Sequence, residues 1–580
     1  MITTMKHTLL YILLGVTMLT VSCSILDKNP DTRTTIDSKK KVQLLLGSAY
    51  SAANPNIIAE LTSDNMIDNN APTADGQVYY LNAYNQVCHQ LFAFEDVNTG
   101  TTQDSPHYLW QGDYKAIAAA NQALEAIDKM IADKTCSESD LANEKAEALL
   151  TRAWHHFRLA QIFCQAYGGK EWNDNHLGLV YMTAPETTVH PTYHRETLAQ
   201  TYQHIEQDLA TALELYTDDG YMTVPRYHLN LQAAHAFAAR FYLYTRQWEK
   251  VIKHANYVLT DAHDASLLPK LFDADKAVNQ TPSSDQEVYV WIDGVAPYNL
   301  MVQTSMSSQL LVHQTSYGRY NFNGDAKSYS VSGSGPNWSG SFPGIRRWQY
   351  KAEYGIFIAK IKYFFEYTNK IAGTGYRHTM MINFTTNETL LCRAEAEAQL
   401  GQFELCLADL DLWCKKYNIK PGTTPISALT DEQIRTFYKP STATRLANNS
   451  YVPTLHNQEL DPDWTIEANK LPYIYCCLHF RRIETMHEGI RLQDLKRYAI
   501  EWKHTIGEYA DVKSMKWDDD RRAIQLPDAV IQEGLEPNPR TNVGDHVTPR
   551  TMPRELHPGD PTEAEIIAAE LASTITEAQD

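Results

Sequence analysis

Twenty-one histidines, seventy carboxylates and nine cysteines give this chain ample material for acid–base, nucleophilic or metal chemistry, so spacing has to decide. A zinc hydrolase would carry two histidines one helical turn apart with a glutamate beside the first. His487-Glu488-Gly489 breaks off after two residues, and Pro191 lies between His190 and His194, interrupting the helical face they would need. His155-His156 falls on a strongly amphipathic stretch and reads as packing. No Gly-x-Ser-x-Gly elbow occurs, and the glycines from Gly333 to Gly344 lack phosphate-loop spacing. A glycosidase needs two positioned carboxylates; with seventy acids their presence alone decides nothing, and Asp518-Asp519-Asp520 reads as a solvated turn. Arg481, Glu484, Glu488, Arg491 and Asp494 read as Arg–carboxylate pairs at three- and four-residue spacing that stiffen a helix and dock it to its neighbours. The cysteines show no Cys-x-x-Cys. Cys392, Cys406 and Cys414 sit inside helical patterns, and with the vicinal Cys476-Cys477 pair they read as free buried thiols. No catalytic residue, metal or cofactor is expected.

Binding is the better use of this composition. Tyr and Trp, 34 and 11 of them against 16 Phe, suit surfaces where one side of a ring is wet and the other packed. Most must pack between helices; a minority can stack on sugars or peptide side chains. The net charge of −19 repels phosphate backbones and makes nucleic acid a poor partner. At the N-terminus, Lys6 and His7 precede an uncharged, largely apolar run from Thr8 to Val21, 14 residues against the roughly 20 of a spanning helix. Ser22 and Cys23 follow. A short apolar run, a small residue and then cysteine describe a lipoprotein leader (1–22) with lipidation at Cys23, although Thr20 stands where a lipobox has leucine. Residues 23–38 form a polar tether.

Any binding surface must be carried by the elements behind it. A helix is expected from Lys39 to Ala53, then mostly loop to Leu109. Strong helical periodicity follows. Tyr114, Ile117, Leu124, Ile127 and Ile131 share one face; Leu149, Ala153, Phe157, Ala160 and Phe163 share another, stopping at Gly168-Gly169; Tyr202, Ile205, Leu209, Ala212 and Leu213 mark a third. Two tight turns then repeat one pattern: Arg246-Gln247-Trp248-Glu249 and Gly401-Gln402-Phe403-Glu404, each between helical stretches rich in alanine. This is the packing logic of tetratricopeptide-like helical hairpins. Between them, about 261–379, lies a loop-rich insertion in which Glu287–Ile292 alternates like a strand and Trp338 is flanked by Gly, Pro and Ser. The fold class is therefore mainly α, with a helical scaffold over about 39–260 and 380–540. An acidic extension runs from 541 to 580.

Several blocks in order resemble the SusD/RagB family of nutrient-binding outer-membrane lipoproteins. They are Trp110-x3-Tyr114-x2-Ile117-x3-Asn121-x2-Leu124-x2-Ile127; Ala146-Glu147-Ala148-Leu149-Leu150-x-Arg152-Ala153; Ile205-x2-Asp208-Leu209 with Ala233-Ala234; Ala394-Glu395-Ala396; Arg481-Arg482-x-Glu484-x3-Glu488-Gly489-x-Arg491-x2-Asp494-Leu495-x-Arg497; and Leu526-Pro527-Asp528 with Asn538-Pro539. The resemblance implies a SusD-like fold and a non-catalytic protein. Such a protein captures oligosaccharide or peptide at the cell surface and delivers it to a SusC-like TonB-dependent transporter. It places ligand contacts in the loop before the first core helix (around Tyr79, Tyr80, Tyr84, Tyr108 and Trp110) and in the insertion (Tyr317, Tyr320, Asn321, Trp338), while Trp110 and Tyr114 begin a helix and read as buried. Trp338 is the foremost candidate, as a ring with little core to join. A scaffold that binds only protein partners, or a surface hydrolase, are the alternatives.

Overall fold

The computed structural model describes residues 35–72, 86–97, 100–188, 191–307, 319–322, 330–346, 348–349, 356–417, 427–439 and 451–544. Cys23 and nearly all of the acidic extension lie outside them.

Helix α1 (Lys39–Leu46) ends earlier than its periodicity suggests, because Gly47-Ser48 turns the chain and Ser48 Oγ donates back to Leu45 O at 2.6 Å. The stretch expected to be loop holds two short buried helices, α2 (Asn56–Thr62) and α3 (Gln86–Phe92), and a two-residue strand, β1 (Ile67–Asp68). Each helix is barely two turns long, too short to be stable alone, and forms because Ile57, Ile58, Leu61 and Phe92 are buried in the common core.

The long helices follow their sequence signals. In α4 (Pro106–Ala132), Pro106 sits at the first helical position and Ser105 Oγ accepts from the Tyr108 N–H. Reciprocal capping boxes open α5 (Glu138–Phe163) at Ser137/Asp140 and α6 (Leu198–Leu215) at Thr197/Gln200. Helix α5 packs between α4 and α6, burying Phe157, Ala160 and Phe163. It ends at Phe163, before the glycines. Those glycines serve a different purpose: a Cβ on Gly168 would meet Leu460 O at 2.6 Å, and one on Gly169 would meet the Asp461 carboxylate at 2.8 Å.

Both repeat-like turns are helical hairpins. Helix α7 (Leu231–Tyr244) turns through Thr245-Arg246-Gln247 into α8 (Trp248–Leu259). Between the hairpins, Glu287–Ile292 is not a strand: Glu287–Trp291 is the C-terminal part of α9 (Ser284–Trp291), and Ile292 is its C-cap. There Ser283 accepts from the Gln286 N–H, and the acidic first turn of Asp285 and Glu287 favours a helix start over the strand preference of two valines. Strand β2 (Asn299–Ser305), β3 (Tyr320–Asn321), β4 (Trp348–Gln349), β5 (Ile356–Phe357), β6 (Phe364–Asn369) and β7 (Thr374–Thr385) follow. The largest sheet has the order β2-β7-β6. The second hairpin joins α10 (Thr386–Gln399) to α11 (Phe403–Lys416), and α8 packs on α10, so the two hairpins stack despite their separation in sequence. Arg246 and Gly401 occupy the same left-handed conformation, with φ of +61° and +75°.

Helices α12 (Leu471–Glu484) and α13 (Ile490–Arg497) and the hairpin β8 (Trp502–Ile506)–β9 (Asp511–Met515) follow, and a short helix over Asp528–Gln532 comes after them. The charged block here docks as expected: Arg497 Nε reaches Asp494 at 2.9 Å along α13, and the other pairs run between elements. Arg497 Nη2 reaches Glu395 at 2.6 Å, Arg491 Nε reaches Asp64 at 2.7 Å, and Lys360 Nζ reaches Glu488 at 2.7 Å. Arg481, Arg497, Asp494 and Glu395 balance their charges in a dry cluster, which is the condition for tolerating buried ions. The described cysteines are all free, and all but Cys136 are buried. Asp519 is not solvated: it is buried and paired with Arg521 at 2.6 Å.

Candidate ligand-binding site

The two segments expected to carry ligand contacts meet at their roots. Ile67 pairs with Asn321 and Asp68 with Tyr320, so β1 and β3 form a two-stranded antiparallel sheet. Two-residue strands have no stability of their own; side chains hold this pair. Asp68 accepts from Arg319 Nε at 2.9 Å and Nη2 at 2.8 Å, from the Asn70 N–H at 2.9 Å and from the Gly507 N–H at 2.9 Å. Gly507 turns β8 into β9 with φ +63°, so a third part of the chain braces the same carboxylate.

Aromatic rings lie beneath. The Tyr320 hydroxyl contacts His89 Nδ1 at 2.5 Å, and its ring lies 4.6 Å from Phe92. Burial, with the Arg319 guanidinium nearby, lowers the His89 imidazole to about 4, so it is neutral at physiological pH. His504 is stacked between Phe92 and Phe94, at 4.1 and 4.5 Å. Its two ring nitrogens face Phe92 O at 2.7 Å and Ser63 O at 2.8 Å.

Tyr320 and Asn321 therefore belong to a buried floor, not to an exposed contact surface. Trp338 is also corrected. It is only 8% exposed, its Nε1 donates to Gly333 O at 2.9 Å, and its ring packs on Phe342, His479 and Phe480. The neighbouring glycine does not leave the ring bare. A Cβ on Gly335 would fall 2.2 Å from the indole, so glycine lets the backbone lie flat on it. Trp110 is buried and Tyr114 half-buried, with rings 4.8 Å apart. Tyr108 is half-buried in the first turn of α4. Tyr79, Tyr80, Tyr84 and Tyr317 lie outside the described residues. His155 and His156 are packing residues: each Nδ1 donates to a carbonyl of its own helix, at 2.7 and 2.9 Å, and burial lowers both rings to about 3.

Asp68, Arg319, His89 and His504 were not singled out by their sequence. The partners are too far apart in the chain for any local pattern to mark them. A second concavity, about 500 Å³ and open to solvent, lies against the first hairpin turn. It is lined by half-buried Tyr167 and Trp248, by Trp464 and by Asp461. Arg246 forms one wall, stacked on Tyr167 and Trp464 at 5.4 and 5.1 Å.

Stacked helical hairpins and the braced β1–β3 pair make up the described scaffold. In this chain, residues 25–243 match the SusD-like family described as "Starch-binding associating with outer membrane". Its fold is that of solved SusD superfamily proteins. One from Bacteroides vulgatus is 18% identical with a TM-score of 0.57, covering 87% of this chain and 99% of that one. One from Bacteroides thetaiotaomicron is 16% identical with a TM-score of 0.56, covering 87% and 100%. A laminarin-binding SusD-like protein is 14% identical with a TM-score of 0.50, covering 87% and 99%. No curated protein matches the chain. Among the described residues, no helix is long and apolar enough to cross a membrane.

Proposed function

We propose that this protein is a non-catalytic, cell-surface capture protein, tethered to the outer membrane through lipid on Cys23. It binds oligosaccharide and passes it to a SusC-like TonB-dependent transporter. The observation that supports this reading is the β1–β3 pairing, whose strands stand in the chain next to the segments that carry Tyr79, Tyr84 and Tyr317. A pyranose packs its axial C–H bonds on an aromatic face while amide, carboxylate and guanidinium groups bind its hydroxyls. The family description and a laminarin-binding relative by fold favour glycan over peptide.

The test is calorimetry on residues 24–580 against polysaccharides and peptide mixtures, beside a Tyr79→Ala/Tyr84→Ala/Tyr317→Ala variant. The expected result is binding of one glycan class, weakened at least about tenfold in the variant with an unchanged melting temperature. Undiminished binding in the variant would place the site elsewhere. Peptide binding alone would make it a peptide importer.

A second reading, docking of a protein partner, draws support from the β6–β7 hairpin. Phe365, Tyr367, Ile371 and Tyr376 are all exposed there, an apolar display that isolated surface residues do not make.

A further inference from the structure

Glu397, on α10, is wholly buried, and neither oxygen of its carboxylate has a hydrogen-bond partner. A buried acceptor left bare in this way costs on the order of 1–3 kcal/mol, more if charged. The nearest cation, Arg393, lies 4.0 Å away and is committed elsewhere. Its Nε and Nη2 hold Asp409 at 2.7 and 2.8 Å, and its remaining N–H groups serve Asn256, Thr260 and Ala262. What faces Glu397 is His263. Its Nε2 stands 3.5 Å from Glu397 Oε1, while its Nδ1 lies 2.9 Å from Asp409 Oδ1.

That arrangement assigns the imidazole's protons. With the Nδ1–H given to Asp409, the Nε2 lone pair points at the bare carboxylate, which is the orientation a metal-binding histidine takes when a carboxylate stands behind it. The spacing agrees: ligand atoms about 2.1 Å from a tetrahedral zinc lie roughly 3.4 Å from one another. Donor atoms of His263, Glu397 and Asp409 all lie within 4.8 Å of one another. The histidine side chain keeps 14% of its surface exposed, leaving an entrance.

We propose that His263 Nε2 and the Glu397 carboxylate, with Asp409 fixing the histidine, bind a divalent cation of the zinc class. Nε2 and Glu397 Oε1, 3.5 Å apart, supply two donor atoms at that spacing, and water completes the shell. The ion would tie the chain that follows α8 to the α10–α11 hairpin, at the point where the two repeat-like hairpins stack.

The test uses chelator-treated residues 24–580, titrated with zinc alone against a chromophoric competitor, with melting temperature measured with and without zinc. The expected result is one zinc per chain and a rise in melting temperature on adding it. In Glu397→Gln, which keeps the shape and removes the charge, zinc affinity should fall at least roughly tenfold while the metal-free protein melts no lower than wild type. His263→Ala should lose zinc to the same degree. No zinc retained by the wild type, or equal binding by Glu397→Gln, would overturn the assignment; the latter would place the ion on surface histidines.

Discussion

Arg319 meets Asp68 through two parallel N–H···O contacts, 2.9 and 2.8 Å long, with both side chains withdrawn from water. Removing one member of such a pair strands the other charge, which typically costs about 3–5 kcal/mol. Asp68→Ala should therefore lower unfolding free energy in urea by that amount and weaken ligand binding through loss of the floor. Asp68→Asn, which keeps the acceptor oxygen, should fall between that variant and wild type in both measurements.

Trp338→Ala is expected to behave as a core truncation. Emptying a site of that size costs about 3–5 kcal/mol, so the variant should unfold at lower denaturant. Its folded fraction should bind ligand with unchanged affinity. A selective loss of binding at full stability would return Trp338 to the ligand surface.

How legible this molecule was depended on length of pattern and on distance along the chain. Helices α4, α5 and α6 could be read because each repeats its apolar face over several turns. The hairpins α7–α8 and α10–α11 could be read from a shared turn. Helix α9 was misread because Val288, Tyr289, Val290 and Trp291 are strand formers whose local preference yields to the Ser283 cap and to packing. The floor was illegible for another reason: β1 and β3 are two residues each, and a period cannot appear in two residues. Trp338 shows the limit of composition, since flanking glycine there signals close approach and not exposure.

The two hairpin turns offer a controlled comparison. Gly401 holds φ +75° with no atom closer than 3.9 Å to an added Cβ, so Gly401→Ala should cost about 1–2 kcal/mol from backbone conformation alone. Arg246 already bears that strain and offsets it by donating to Tyr167 O, Gly168 O and Asp461 at 2.7–2.8 Å. Arg246→Gly should relieve the strain yet still lower the melting temperature, and it should loosen the segment at Asp461. Thermal unfolding and amide exchange of residues 457–464 would measure both.

Glu60 gives a pH dependence with a definite sign. It is buried and accepts from the Gly489 N–H at 2.9 Å and Asn65 Nδ2 at 3.1 Å, but burial dominates and pushes its carboxyl up to about 7 from 4.5. The folded chain then holds this proton more tightly than the unfolded one. Its contribution is complete below about pH 4.5 and is lost as pH rises through 7. Comparing wild type with Glu60→Gln at pH 5 and pH 8 should reveal a difference in stability change on the order of 3 kcal/mol, with wild type losing more at pH 8.

The bracing of Asp68 also sets an order of assembly. Its partners stand 251 residues downstream at Arg319 and 439 downstream at Gly507, and Arg491 closes on Asp64 across 427. Contacts of such separation give nothing back until the intervening chain has been ordered. Helices α4 to α8 can form and pack from near neighbours while the rest of the polypeptide is still being made. The β1–β3 floor must wait for β8 and β9. A chain truncated before Gly507 would keep its helical scaffold and lack a finished floor, so the pairing of β1 with β3 is completed after the helices that surround it.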